Sequence, residues 1–511
     1  MALDGESQIV AMEYDSPAVA PSQGPAIVHK KGIPMKPVAP SGSVPAAARD
    51  TTYPRAKSAL ALLLLINLFN YIDRQVLSAV VRPIKETFFG QSGISGATAG
   101  NDMLTAIIHC FQNRLGFKPE DALIGLLGTA FMLIYMVGSP VFARLAERRA
   151  RWGLIGIGVI LWSIASGASG LAGTFLVLLL TRCYVGIGEA AFGPVAPTMI
   201  SDFYPVKIRG QVLAWFYVAI PVGSALGYVL GGLVADSGIG AWGGRVFGLK
   251  PESWRWAFFL VTLPGIVLGL WSFFMREPPR GQADLSSAAK PAAVPWGDYL
   301  ILLRTPSYTL CTLGMAAMTF AIGGIAFWMP YYLSSRPGAP PYSTTTTLFG
   351  GITVVAGLAA TLLGGIAGDQ LRARFPGSYF LVSGTAMLAG FPIFLLVLRA
   401  PFPRIWLLIF LTCFCLFFNT GPTNTILANV THFSMRGAAF ALNIFVIHAL
   451  GDVISPVMVG LLNDRFHDMN KSFLVVGLTF LSAGVLWLLG TRHLQRDTER
   501  APTRLTSTGC P

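Results

Sequence analysis

The chain has 511 residues, of which 53% are hydrophobic and only 12% are charged. An average soluble domain is about 25% charged, so this composition excludes an ordinary soluble enzyme, and the apolar content excludes a disordered chain. The net charge of +13 could indicate nucleic-acid binding, but the basic residues are distributed as in a membrane protein. The cysteines form no CxxC or Cys/His spacing, so we expect neither a disulfide framework nor a metal site.

Residues 1–57 are rich in Ala, Pro, Ser and Gly and are predicted to form a disordered tail. Apolar runs follow, each near the length of about 20 residues that crosses a bilayer. Since backbone polar groups in lipid must be satisfied internally, every run is predicted to be a helix. The runs lie at 58–81, 121–144, 152–172, 174–199, 211–235, 256–275, 307–333, 346–368, 379–398, 404–428, 437–461 and 473–490.

A polar, Pro-rich segment at 276–306 divides these runs six and six. We therefore predict an all-α membrane protein with 12 transmembrane helices, in an N-terminal six-helix bundle (58–275) and a C-terminal six-helix bundle (307–490). An even number of spans places the tail 1–57, the linker 276–306 and the tail 491–511 on one side of the membrane. That side carries about twice as many Lys and Arg residues as the other, which predicts that it is cytoplasmic.

An internal repeat supports two related halves. The second span of each half is followed by a carboxylate and closely spaced arginines, in "ARLAERRAR" (143–151) and "GIAGDQLRAR" (365–374). The residues are Glu147, Arg148 and Arg151 in the first copy, and Asp369 and Arg372 in the second. This loop resembles the signature of the major facilitator superfamily, in which a Gly precedes an Asp by four residues. The resemblance implies pseudo-symmetric halves and loops that act as conformational switches.

Charged residues inside the spans are the sharpest functional signal. Each costs roughly 2.5–3.5 kcal/mol at the bilayer centre, so such residues are usually paired and functional. The first span carries Asn70, Asp73 and Arg74, and the fourth carries Arg182 and Glu189 on one helical face. They could be static ion pairs, or a proton and substrate site. A carboxylate in a cavity of low dielectric can hold a proton near neutral pH, and a nearby arginine opposes this.

Three further residues are candidate cavity residues together with Asn70. His448 and Asp452 lie four residues apart on the eleventh span and therefore share a face. His448 could titrate near neutral pH or could simply hydrogen-bond a neighbour, whereas a buried Asp452 needs a functional reason. Asn424, on the tenth span, could also reach the cavity.

Several segments resemble the Spinster family of facilitator transporters over roughly residues 58–490. They are "NYIDRQVLSAVVRPIKETF", "VGIGEAAFGPVAPTMISDFYP", "FYVAIPVGSALGYVLGG", "AFWMPYYL" and "HALGDVISPVMVG". The resemblance implies a proton-coupled secondary-active transporter with alternating access, whose substrate is an amphiphilic anion such as a lysolipid or sphingoid phosphate. It also implies that Asp73 and Glu189 titrate, and that Arg74 and Arg182 are their partners and contact the substrate anion.

Two other functions stay open. The "NY-acid-R" opening also occurs in organic-anion carriers, which favours a proton-coupled transporter of a sugar acid or aromatic carboxylate. A receptor or scaffold with a degenerate transporter fold would use residues 1–57, but the intramembrane charges argue against it.

The sequence lacks a Walker A, HExxH or GxSxG pattern, so we expect neither ATP drive nor an enzyme, and no cofactor. We expect a monomer in the bacterial plasma (inner) membrane that interacts with protons, lipids and a small substrate, and not with nucleic acid.

Overall fold

The computed structural model describes residues 55–90, 108–110, 112–114, 116–248, 250–278, 296–432 and 435–503. The prediction of a disordered N-terminal tail falls almost entirely outside these residues, as do the middle of the predicted linker and the last eight residues of the predicted C-terminal tail. Within the described ranges, all the regular secondary structure is helical, which confirms the predicted fold class.

The helices are numbered in chain order. Those before the linker are α1 (Ala56–Ala79), α2 (Val81–Phe89), α3 (Glu120–Arg148), α4 (Arg151–Leu171), α5 (Phe175–Ala190), α6 (Ala196–Phe203), α7 (Val206–Ala235), α8 (Ile239–Phe247) and α9 (Trp254–Ser272). Those after it are α10 (Trp296–Leu303), α11 (Pro306–Ser334), α12 (Tyr342–Arg372), α13 (Ser378–Val397), α14 (Ile405–Phe417), α15 (Thr420–Asn429), α16 (Arg436–Ile447), a π-helical turn (His448–Asp452), α17 (Ser455–Phe466), α18 (Met469–Gly490), α19 (Leu494–Arg500) and a 3₁₀ turn (Ala501–Thr503).

Eleven stretches of the described chain are long and apolar enough to cross a membrane, and each corresponds to a predicted run. The fourth run differs from the prediction, because α5 and α6 are separated by a turn at residues 191–195. The cause is local. Pro194 has no N–H to donate, and it disfavours the helical conformation at Gly193. The run predicted as one helix over 174–199 is therefore two shorter helices in series.

The eleventh span is also irregular, at the π-helical turn between α16 and α17. Pro456 would meet the carbonyl of Asp452 four residues earlier in a regular helix, and it cannot donate a hydrogen bond to it. The backbone leaves helical geometry at Gly451, with φ −104° and ψ −105°. Turns of this kind often mark functional sites, and this one carries His448 and Asp452.

Two short helices form where the sequence predicted only a linker and a tail. They are α10, which precedes the seventh span, and α19, which follows the twelfth. The carboxylate of Asp497 in α19 accepts the backbone N–H of Ser307 at 2.9 Å. This contact caps the first turn of α11 and fixes α19 to the C-terminal half.

The two halves repeat one packing pattern. The second span packs on the fourth (α3 on α5, α12 on α14), and the third packs on the fourth and sixth (α4 on α5 and α9, α13 on α14 and α18). The first span packs on the fifth, as α1 on α7 and as α11 on the π-helical turn. The repetition confirms the predicted pseudo-symmetric halves.

The halves meet where α3 contacts α17, α7 contacts α12 and α1 contacts α11. We call the end of the bundle at which α1 begins and α18 ends the terminal end, and the other the opposite end. The hydroxyl of Tyr342 donates to the carbonyl of Ala79 at 2.6 Å, and Thr129 donates to the carbonyl of Val453 at 2.6 Å. Such contacts join the halves toward the opposite end.

Candidate functional site

The four charged residues predicted in the first and fourth spans lie together in the N-terminal half. Asp73 and Arg74 are consecutive on α1, so their side chains point about 100° apart. Arg74 extends toward α5, and its Nε donates to Glu189 Oε2 at 2.6 Å. The Glu189 side chain is 0% exposed and that of Arg74 is 13% exposed, so this is a buried ion pair.

Aromatic rings surround the Arg74 guanidinium. Its Cζ lies 4.9 Å from the ring centre of Tyr71, 5.2 Å from that of Phe131 and 4.8 Å from that of Tyr135. Ring faces attract a cation and replace part of its hydration shell. The cage formed by these three rings therefore supplies part of the stabilisation that the arginine loses on leaving water.

Asp73 belongs to a second, differently built pair. The hydroxyl of Ser166 on α4 donates to Asp73 Oδ1, and Arg182 is the cation that acts most strongly on this carboxylate. Arg182 is 2% exposed. Its Nη2 donates to the hydroxyl of Ser169 at 3.0 Å, and its Nε donates to none of the described residues. Asp73 and Arg182 thus each bind a serine hydroxyl instead of forming the expected direct ion pair.

The remaining candidate residues differ in burial and in their hydrogen-bond partners. Asn70 is buried beside Glu189. His448 Nδ1 lies 2.9 and 3.1 Å from the two carboxylate oxygens of Asp452, and both side chains are partly exposed. Asn424 is exposed and donates to the carbonyl of Thr420 in its own helix at 2.8 Å.

The first acid–basic loop is anchored through Arg151. Its Nε donates to Glu277 Oε1 at 2.7 Å, and its Nη1 donates to Asp202 Oδ2 at 2.6 Å. Glu277 also accepts the backbone N–H of Arg151 at 2.9 Å. These contacts tie the start of α4 to the ends of the fourth and sixth spans, whereas Glu147 and Arg148 are exposed.

In the second acid–basic loop, the acid and the base contact the same tyrosine hydroxyl. The hydroxyl of Tyr379 on α13 donates to Asp369 Oδ1 at 2.7 Å, and Arg372 Nη1 donates to the same hydroxyl at 3.4 Å. Arg151 of the first copy therefore binds two carboxylates, whereas Asp369 and Arg372 of the second copy both contact one tyrosine.

Comparison with known proteins identifies the family. The profile of the Major Facilitator Superfamily matches residues 63–456. Protein spinster homolog 3 of Danio rerio is 30% identical over 497 residues, which is 91% of this chain and 91% of that protein. The chain belongs to the Spinster family of the major facilitator superfamily. This confirms the resemblance seen in its sequence.

Two further Spinster relatives agree. The sphingosine-1-phosphate transporter SPNS2 of Danio rerio is 29% identical and covers 84% of this chain and 82% of its own length. The fold matches the crystal structure of a bacterial homolog to the human lysosomal transporter Spinster, in an inward-facing and occupied conformation. The TM-score is 0.72 at 22% identity, over 88% of this chain and 99% of that chain. Family and fold are those of multi-pass integral membrane transporters, and this Spinster chain is one.

Proposed function

We propose that the chain is a proton-coupled secondary-active transporter that works by alternating access, with Asp73 and Glu189 as its proton-titrating residues. The buried pair of Arg74 and Glu189 carries this proposal, with Asp73 and Arg182 beside it. Burying such charges is expensive, and the attraction between them only partly offsets the cost. A transport cycle that uses the charges explains why the chain keeps them.

The coupling follows from competition for Arg74. While its guanidinium binds Glu189, that carboxylate is stabilised as an anion. A substrate anion that draws Arg74 away leaves Glu189 buried without a counter-charge, and a carboxylate in that position takes up a proton. Substrate binding and proton binding are then linked through one side chain. Arg182 acts on Asp73 through its charge without a direct ion pair, so a substrate anion that neutralises Arg182 would likewise favour protonation of Asp73.

We propose an amphiphilic anion, such as a lysolipid or sphingoid phosphate, as the substrate. The name of the Danio rerio relative, a sphingosine-1-phosphate transporter, supports this class. So does the combination of a cationic group with three aromatic rings, which suits an anionic head next to apolar groups. A sugar acid or aromatic carboxylate is the second candidate, since a compact cage around one guanidinium also suits a small planar carboxylate.

The remaining assignments are part of the same proposal. The bundles 58–275 and 307–490 rock about the central site as a monomer, and the linker 276–306 and both tails lie in the cytoplasm of a bacterial cell. The terminal end then faces the cytoplasm. The loops with Glu147 and Asp369 act as conformational switches, and His448 and Asp452, which contact each other, line the cavity.

Transport by purified protein in liposomes tests this function. A pH-sensitive dye is enclosed, a pH gradient is imposed, and lysolipids and short organic acids are added one at a time. We expect proton flux that depends on a lysolipid. Flux with organic acids alone would support the second candidate, and no flux with either, from protein shown to be folded, would contradict proton coupling to both classes.

A further inference from the structure

Two carboxylates at the opposite end occupy electrostatically unfavourable positions on their own helices. Asp464 lies in the last turn of α17, and Asp236 directly follows α7. The C-terminus of a helix carries partial negative charge, so a carboxylate there is repelled by its own helix. Each residue therefore needs a compensating contact from elsewhere, and in both cases the contact comes from the other half.

Asp464 is compensated by the start of α3. Its two oxygens accept the backbone N–H groups of Asp121 at 2.9 Å and of Ala122 at 2.8 Å. These amides belong to the first turn of a helix, where no intrahelical acceptor exists and the partial charge is positive. Asp464 is 5% exposed, so water does not replace this contact while the halves are together.

Asp236 makes the equivalent contact at the pseudo-symmetric position. Its Oδ2 accepts the backbone N–H of Ser343, in the first turn of α12, at 2.7 Å. The helices α3 and α12 are the second spans of the two halves, and α7 and α17 end the two fifth spans. Each half thus ends its fifth span with a carboxylate that caps the second span of the other half.

The Asp464 contact has additional support. Lys85 Nζ lies 2.5 Å from Asp121 Oδ1, and Asn463 Nδ2 donates to Asp121 Oδ2 at 2.6 Å. Burial alone would lower the pKa of Lys85, but Asp121 and Tyr331 together more than offset burial and the pKa is raised. Lys85 therefore stays charged and balances the two aspartates. Asp236 has a more exposed position, so we expect its contact to be the weaker one.

We propose that Asp464 and Asp236 form a paired latch that holds the opposite end of the bundle closed by capping helices across the interface between the halves. A carboxylate that caps a helix within one half, as Asp497 does at Ser307, only stabilises the fold. A cap between the halves must break whenever the opposite end opens, and each carboxylate then lies at the negative end of its own helix without compensation. The latch therefore biases the conformational equilibrium, whatever the substrate is.

Distance measurements between the halves test the latch without any transport assay. Spin labels at Lys250→Cys and Ser335→Cys, both exposed at the opposite end, report its opening in lipid nanodiscs, in a background without the native cysteines. Loss of one cap typically changes an equilibrium by about fivefold, and loss of a stronger one by about 30-fold. We expect a shift of about fivefold toward long distances in Asp236→Ala and of about 30-fold in Asp464→Ala.

The matched control is Asp468→Ala. Asp468 also caps a helix at the opposite end, since its Oδ1 accepts the N–H of Asn470 at 2.9 Å, but both residues belong to the C-terminal half. The control should leave the distances unchanged.

If Asp464→Ala does not fold, Asp464→Asn combined with Asp236→Ala replaces it. The two sites are independent, so their effects should multiply. Unchanged distances in this folded double variant, or an equal shift in the control, would overturn the latch. Because the readout is a distance, a failed transport assay would leave the result intact.

Discussion

Replacing Glu189 by glutamine is expected to reduce substrate-driven proton flux at least tenfold, to background. The substitution keeps the size of the side chain and removes its ability to gain and lose a proton. It also leaves the buried Arg74 guanidinium without its carboxylate, and removing one member of a buried pair typically costs about 3–5 kcal/mol of stability. Flux in the liposome assay and thermal unfolding in detergent should be measured on the same preparation.

A second substitution separates coupling from folding. In Glu189→Gln/Arg74→Gln neither charge is buried alone, so we expect much of the lost thermal stability to return while proton-coupled flux stays absent. Transport by either variant with the pH dependence of the unchanged protein would show that Glu189 does not couple protons. A defect that the second substitution rescued in full would instead mark the pair as structural.

The matched control uses the ion pair of Arg82 and Glu86. These residues lie four apart on α2 with Nε and Oε1 3.0 Å apart, but their side chains are 43% and 65% exposed. Exposed pairs contribute about 0–1 kcal/mol. Glu86→Gln should therefore change neither stability nor flux, and the contrast isolates the effect of burial.

Most of the fold could be predicted from the sequence because few backbone structures are stable inside a bilayer. Long apolar runs must be helices, and the repeated acid–basic loop indicates two related halves. The fourth span shows where such reasoning stops. Composition predicts one apolar helix over 174–199, but Pro194 interrupts the helix. A count of apolar residues does not detect the effect of a single proline.

The candidate site was predictable as a set of residues but not as a set of contacts. Rare charges within spans single out Arg74 and Glu189 from sequence alone. Nothing in the sequence indicates that the partner of Asp73 is the hydroxyl of Ser166, because serine is common in membrane helices and its role depends on which helices face each other. Asp464 was missed for a related reason. It lies near the end of a span, where a carboxylate looks like ordinary loop polarity.

The second large effect is expected where α1 meets α7. A side chain at Gly227 would place its Cβ 2.6 Å from the carbonyl oxygen of Ile72 and 2.8 Å from Cβ of Gln75. Gly223 and Gly231 face α1 in the same way, as small residues do at close helix contacts. Ile72 directly precedes Asp73, so pressure on this contact moves the helix that carries the candidate site.

Gly227→Val is therefore expected to destabilise the protein by about 3 kcal/mol or more, the upper range for overpacking, because backbone atoms block the added side chain. For a chain of this length that corresponds to a fall of roughly 3 °C in Tm, with loss of transport in whatever protein still folds. Gly351→Val is the control, since Gly351 also lies inside a spanning helix and an added Cβ there meets nothing within 4 Å. Both variants change helix propensity equally, so only steric contact distinguishes them. Equal Tm values for the two would show that α1 and α7 can separate without cost, and that close packing at Gly227 does not position Asp73 and Arg74.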